Sequence, residues 1–333
     1  IAEAATQSKP FLLYVSHYAP HWPLHAKAQD MARYRELYRN LGWDEARARR
    51  RQRLIQLGLI GNNCLLSPRD PRVPAWPEAP HQEWEADRMA AYAAQVDSLD
   101  QSIGRILDAI RHTNARTNTL VLFLSDNGAS DQEMSSPLDK PGETWRLDGT
   151  PTQVGNEPAH EPGSPDTFVT CGPPWANVSN TPFRGHKATN HEGGIASPLI
   201  AWWPGVITQA GGITHELGHL TDIMATCLDA AGAVDLTDVK GRKVLPLVGQ
   251  SLMPVFKGGK RDGHQTMFWA TSGCRAVRMG QWKLVSGRDK PWELYDMAAD
   301  RTELNDLAGA HPDRVAAMAS AFAQWRTREE TEK

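Results

Sequence analysis

The sequence predicts an α/β protein with a mixed sheet, followed by a small antiparallel unit. Three observations carry that prediction. Short, uninterrupted apolar runs at residues 11–15 (FLLYV), 119–124 (TLVLFL) and 197–203 (SPLIAWW) have the composition of buried strands. Apolar residues at helical spacing over 84–111 lead directly into the second run, and helix followed by strand is the order of an α/β sheet. Beyond Pro246 the pattern changes to short segments separated by Gly and charged turns, as in an antiparallel meander. This change divides the chain into an α/β part, 1–245, and a C-terminal subdomain, 246–333, with a small antiparallel sheet and a closing helix.

Taken in order, the run at 11–15 reads as a buried parallel strand ending in a polar loop, 16–26, that carries three histidines. Residues 28–58 are charged and helical in period. Their arginines (Arg47, Arg49, Arg50, Arg51, Arg53) read as a solvated helix face, because neighbouring acids leave no stripe of one sign. Residues 62–80, rich in Pro and Asp, form an irregular connection. Met89, Tyr92, Ala93, Val96, Leu99, Ile103, Ile106 and Leu107 mark a long amphipathic helix over 84–111. Residues 130–180 are crowded with Gly, Pro, Ser and Asp and show no sustained period, which in a compact domain points to a functional loop. A helix is expected over 220–231, with Asp222 near its start and Gly232 just past its end. Strands follow at 266–270, 275–279, 282–285 and 292–295, then a helix over 312–325.

Bulk properties narrow the function. A net charge of −3 offers no field that would draw nucleic acid or an anionic membrane, so any anion must be held by a few local cations. No run reaches the roughly 18 apolar residues of a membrane span. The four cysteines, Cys64, Cys171, Cys227 and Cys274, are widely spaced, which indicates neither a zinc site nor a disulfide framework.

Asp126, Asn127 and Gly128 stand at the carboxyl end of the second strand, the edge where open α/β sheets bind ligands. By themselves they make a good turn; a carboxylate beside an amide oxygen also supplies two hard ligands for Ca²⁺ or Mg²⁺. His21, held between Pro20 and Pro23, also follows a strand, and Lys187 precedes the Gly193–Gly194 pair. A packed loop histidine and a solvated lysine are the plain alternatives. Together the positions suit a divalent cation and one or two cationic side chains around an oxyanion ester.

The strings FLLYVSHYAPHWPLHA, LVLFLSDNGAS, WANVSNTPFRGHKATNHEGGIASPLIAWWPG and WELYDMAADRTELNDLA resemble successive signature segments of the bacterial arylsulfatases, in the alkaline phosphatase superfamily. They occur in the family's order over nearly the whole chain. The resemblance implies an incomplete α/β sandwich of the alkaline phosphatase-like type. It implies that Asp126 and Asn127 are two ligands of one calcium ion, that His21 contacts the sulfate group, and that Lys187 binds the sulfate and assists the leaving oxygen. The family's nucleophile is a formylglycine made from the Cys or Ser of a C/S-x-P-x-R motif. That motif is lacking: Cys171-Gly172-Pro173-Pro174-Trp175 has Trp in place of Arg, and Ser67-Pro68-Arg69 lacks the intervening residue. The family's Asp-Asp pair, which completes the calcium site, is lacking too.

The expectation is therefore a sulfuric ester hydrolase for small-molecule or sugar sulfates, with the nucleophile in an N-terminal segment outside this chain and the chain alone inactive. The resemblance places such proteins in the periplasm or outside the cell. Two alternatives stay open: a phosphodiesterase or phosphonate monoester hydrolase of the same superfamily, and an inactive remnant that binds sulfated ligands.

Overall fold

The computed structural model describes residues 1–7, 9–134, 146, 148–233 and 238–331. Two long helices, α1 (Ala28–Gln56) and α2 (Gln82–Arg111), pack against each other and against a shorter helix, α3 (Gly172–Ser179). Met31, Trp43 and Ala46 of α1, Met89, Ala91 and Ala94 of α2, and Trp175 and Val178 of α3 form the main core. Helix α1 kinks at Gly42, where φ is 60° and a Cβ would lie 2.2 Å from the Trp76 indole. Trp76 thereby reaches Trp43, edge-on at 4.6 Å.

The arginine run of α1 is only partly a solvated face. Arg49 pairs with Glu45 in the exposed i, i+4 arrangement. Arg47, however, is buried and donates to the Ser67 carbonyl at 2.7 Å, and Arg51 donates to the Cys64 carbonyl at 2.8 Å. The connection after α1 has carbonyls without strand partners, and these two guanidinium groups satisfy them.

Strand β1 (Val121–Leu124) pairs antiparallel with β2 (Leu199–Trp202), Val121 opposite Trp202 and Leu124 opposite Leu199. Both strands lie inside the expected segments but are half-buried or exposed: Ile200 is 60% exposed. The expected strand at 11–15 is a correction. Those residues carry no strand, and Leu12 and Tyr14 are 85% and 88% exposed. An apolar run becomes a strand only where a neighbour completes its ladder and covers its faces, and none of the described residues does so here. The stretch 130–180, expected to be irregular, contains α3 and a short parallel pair, Gln153–Val154 with Thr167–Phe168. Residues 135–145 and 147 of that stretch lie outside the described residues.

Helix α4 (Asp222–Ala230) begins at a fully buried carboxylate. Asp222 accepts from the backbone N–H groups of His219 and Gln250 and from His264 and Arg261, so one side chain fixes the path into the C-terminal part. There, β3 (Thr266–Thr271), β4 (Cys274–Met279), β5 (Trp282–Ser286) and β6 (Glu293–Asp296) form the expected antiparallel meander. Helix α5 (Pro312–Thr331) covers one face, with Met318 and Phe322 on Val277, Leu284 and Leu294.

Strand alternation sends Leu284 towards α5 and Lys283 and Val285 to the opposite face. Lys283 is fully buried there. Its Nζ lies 2.7 Å from Glu192 Oε1 and 2.8 Å from Glu303 Oε1, while Arg301 reaches Glu192 Oε2 at 2.9 Å. Glu303 also accepts the Glu192 backbone N–H at 2.9 Å. This network joins the meander to the loop at 184–194.

Substituting Lys283→Met leaves two buried carboxylates facing each other and is expected to cost about 3–5 kcal/mol in urea unfolding. Arg39→Ala, which breaks only the exposed pair with Glu36, should cost less than about 1 kcal/mol. Equal effects would show that burial of the network contributes nothing.

Candidate functional site

The turn after β1 is shaped by its own side chains. Ser125 Oγ donates to the Asn127 carbonyl at 2.9 Å, and the Asn127 amide nitrogen donates to the Gly128 carbonyl at 2.9 Å. That bond commits the nitrogen and leaves Asn127 Oδ1 as the atom fit to ligate a hard cation. The neighbouring Asp126 is exposed at the tip of the same turn.

Gly128 brings the turn against a second loop. Its N–H donates to the Gly194 carbonyl at 3.0 Å, and a Cβ on Gly128 would lie 1.8 Å from the Gly193 carbonyl oxygen. No larger residue fits this backbone contact. One residue further, the Ala129 carbonyl accepts the Lys187 backbone N–H at 3.0 Å, so the lysine loop is registered against the Asp126–Asn127 turn.

The Lys187 side chain meets the third segment. Its Nζ lies 3.2 Å from His21 Nε2, and His21 Nδ1 lies 2.8 Å from the Trp22 carbonyl oxygen. A carbonyl only accepts, so Nδ1 carries the proton and Nε2 offers its lone pair to the lysine ammonium. The imidazole contacts two aromatic rings, both tilted against it, Tyr18 at 5.4 Å and Trp22 at 4.5 Å. The structure thus places His21 against Lys187, and Lys187 by its backbone against the turn that carries Asp126 and Asn127.

Behind Lys187 the loop is anchored on both sides of Gly185. Arg184 donates to Glu293 Oε2 at 2.9 Å and to Tyr295 Oη at 3.2 Å, and Tyr295 donates in turn to Glu293 at 2.5 Å. Burial opposes ionisation of Glu293, but the bonds from His191 and Tyr295 and the charge of Arg184 outweigh it and hold the carboxyl down at about 2. His186 contacts Asp70 at 3.1 Å beside the Arg72–Asp70 pair at 2.7 Å. The Arg72 bond holds Asp70 at about 2, whereas burial pushes the His186 imidazole below its ordinary value. A cavity of about 350 Å³ opens between Asp70, Asn177, Arg184, His186 and Leu304.

Among the described residues, no group of three or more His, Cys, Asp or Glu side chains is arranged to hold a metal ion. Asp126 and Asn127 fit a calcium ion in donor chemistry, as two hard oxygens, but they are two of the six to eight that calcium takes.

Comparison with known proteins decides the family. A sequence model of the sulfatase family matches residues 1–233. The chain belongs to the sulfatases. A second model, described as the C-terminal part of N-sulphoglucosamine sulphohydrolase, matches residues 186–324. An uncharacterized sulfatase of Schizosaccharomyces pombe is 33% identical over 320 residues, covering 92% of this chain and 56% of that protein. An arylsulfatase of Klebsiella aerogenes is 31% identical over 259 residues, covering 76% of this chain and 53% of that protein. This sulfatase chain therefore spans about half the length of the curated relatives it matches. The crystal structure of Ps i-CgsB superposes with a TM-score of 0.59 over 97% of this chain and 51% of that one, at 22% identity, which shows the shared fold. The fold is the alkaline phosphatase-like α/β type with a small antiparallel C-terminal sheet.

Several residues that brace the candidate site are not among the candidates read from the sequence. Asn180, Glu192, Lys283 and Glu303 touch no expected ligand, and all are buried. Three of them, Asn180, Glu192 and Glu303, lie within the family-like strings, but their partners are distant in sequence and spacing does not single them out.

The Glu293 carboxyl has an ordinary value of 4.5 and is held near 2 in the folded chain. Its folded value is depressed, so its stabilisation is present in full above about 4.5 and is lost as pH falls towards about 2. The stability difference between wild type and Glu293→Gln should shrink over that window in urea titrations. A difference constant with pH would mean that Glu293 does not titrate as described.

Proposed function

We propose that the protein hydrolyses sulfate esters of the aryl or sugar class, with Lys187 and His21 binding the sulfuryl group and Asp126 and Asn127 holding part of a calcium site. The observation that carries this reading is the Lys187–His21 contact at 3.2 Å, beside a turn to which Lys187 is tied by its backbone. In this reading residues 1–245 are the catalytic α/β part and 246–333 the subdomain that braces it. The protein acts in the periplasm or outside the cell.

The chain's own residues have separable tasks. Lys187 presents an ammonium whose direction is set by the His21 lone pair; an arriving sulfuryl oxygen takes one of its N–H bonds. The same group then donates to the ester oxygen as negative charge develops there, the moment at which a preorganised cation contributes most. His21, fixed by the Trp22 carbonyl, keeps Lys187 from swinging into solvent and lies beside the sulfuryl group. Calcium, when bound, supplies a hard positive charge for the sulfuryl oxygens. The attacking group, a formylglycine in this reading, comes from residues other than these 333, since the chain holds no C/S-x-P-x-R motif. The remaining calcium ligands come from the same source, so these 333 residues alone are inactive. Support for a sulfate rather than a phosphate ester comes from the sulfatase family and from the arylsulfatase relative.

The test compares hydrolysis of p-nitrophenyl sulfate and of an aryl phosphodiester by the full-length gene product. Sulfate turnover should dominate, be lost with a chelator and return with Ca²⁺. Lys187→Ala should lower kcat about 10² to 10³-fold. Faster phosphodiester turnover, or a Lys187→Ala variant within about twofold of wild type, would overturn the assignment.

A further inference from the structure

We infer that Asn180 is a positioning residue: its side-chain amide clasps the turn bearing Asp126 and Asn127 to the loop bearing Lys187. The inference rests on the proposed sulfatase reading of those residues and adds a part that reading does not contain.

Asn180 follows α3 and is itself fixed by that helix, donating its backbone N–H to the Ala176 carbonyl at 2.9 Å. Ala176 and Trp175 are fully buried, so the amide stands on the main core rather than on a loop. Its Oδ1 accepts the Ala129 N–H at 2.8 Å. Its Nδ2 donates to the Ala129 carbonyl at 3.2 Å and to the Gly185 carbonyl at 3.1 Å. The orientation is forced, since a flipped amide would set an oxygen against two carbonyls.

Ala129 is two residues past Asn127, and Gly185 two residues before Lys187. One buried amide therefore spans both segments, and the Ala129 carbonyl receives Asn180 and the Lys187 N–H together. Oδ1 also lies 3.1 Å from where a Cβ on Gly128 would stand, inside the close contact with Gly193. A capping role for α3 would need only the backbone of Asn180. The three side-chain bonds go instead to the loops.

The consequence is geometric. Without the amide, the ligand turn and the lysine can slide relative to each other, and displacement of about 1 Å between reacting groups costs about 10²-fold in rate. Substrate affinity depends less on that register, so kcat should fall while KM holds.

The test uses Asn180→Ala and Asn180→Asp in the full-length gene product. The Asp variant keeps the Oδ1 acceptor but removes both donors, and stands in if the Ala variant fails to fold. Four quantities are measured: kcat and KM for p-nitrophenyl sulfate, the thermal midpoint, and deuterium exchange in peptides covering 126–131 and 184–190. The proposal expects kcat lower by about tenfold or more with KM within about threefold, faster exchange in both peptides, and unchanged exchange in α1 and α2. Wild-type exchange in both peptides would overturn the clasp whatever the activity. Faster exchange with kcat within about twofold of wild type would overturn its catalytic consequence. Wild-type protein without sulfate hydrolysis would overturn the sulfatase reading, and the exchange data would still decide whether Asn180 holds the two loops.

Discussion

A fully buried lysine between two buried carboxylates is the constraint on which the rest of this structure depends. Lys283 meets Glu192 and Glu303 at 2.7 and 2.8 Å, and Arg301 supplies the second positive charge. Removing the three buried charges, Lys283, Glu192 and Glu303, from water costs several kcal/mol each, and attraction among them and the half-exposed Arg301 offsets that cost only in a closely fixed geometry. Such a network is weak as a source of stability and strong as a source of specificity: Glu192 has one place where its charge is tolerated. Burial alone would raise the Glu192 carboxyl, yet Lys283 and Arg301 bring it below the usual range, so it is ionised when the loop is docked.

The two residues after Glu192 are Gly193 and Gly194, and both contact Gly128. Fixing Glu192 on the meander therefore fixes the backbone against which the Asp126–Asn127 turn rests. Arg184, at the other end of the loop, is held by Glu293 and Tyr295 of β6. The C-terminal sheet thus touches none of the proposed ligands and still sets the relative position of two of the three segments that carry them. The third segment, with His21, depends instead on the helical core: the Leu24 N–H donates to the Val169 carbonyl, and Leu24 is buried in the α1–α2–α3 core.

What the sequence made legible follows from the range of the interactions involved. The long helices and the four short strands of the meander were readable because their apolar residues repeat at the period of the element, a property of neighbours in sequence. The run at residues 11–15 misled for the complementary reason. Its composition states that it is suited to a buried strand, while strand formation requires partners that composition cannot name, and Leu12 and Tyr14 face solvent. Arg47 and Lys283 were obscured in another way. Each is a long cation at a position where alternation or helical spacing puts polar residues outside, and each is buried because carbonyls or carboxylates distant in sequence surround it. His21 and Lys187 were legible only through the strings around them; their mutual contact, across 166 positions, has no signature in spacing.

That contact also bears on how the proposed site would divide its charges. A calcium ion held at Asp126 and Asn127, as proposed, and the ammonium of Lys187 would be like charges on loops joined through Ala129, and they would repel. The neutral His21 tautomer relieves none of that repulsion, since its lone pair directs Lys187 without neutralising it. A sulfuryl group bound by both would neutralise it, and most fully once negative charge has accumulated on its oxygens and on the departing ester oxygen. In the proposed reading the arrangement would thus favour the charge distribution of the transition state over that of the bound ester, which is the difference that accelerates a reaction. The backbone bond from Lys187 to Ala129 would oppose relaxation of that repulsion by separation of the loops.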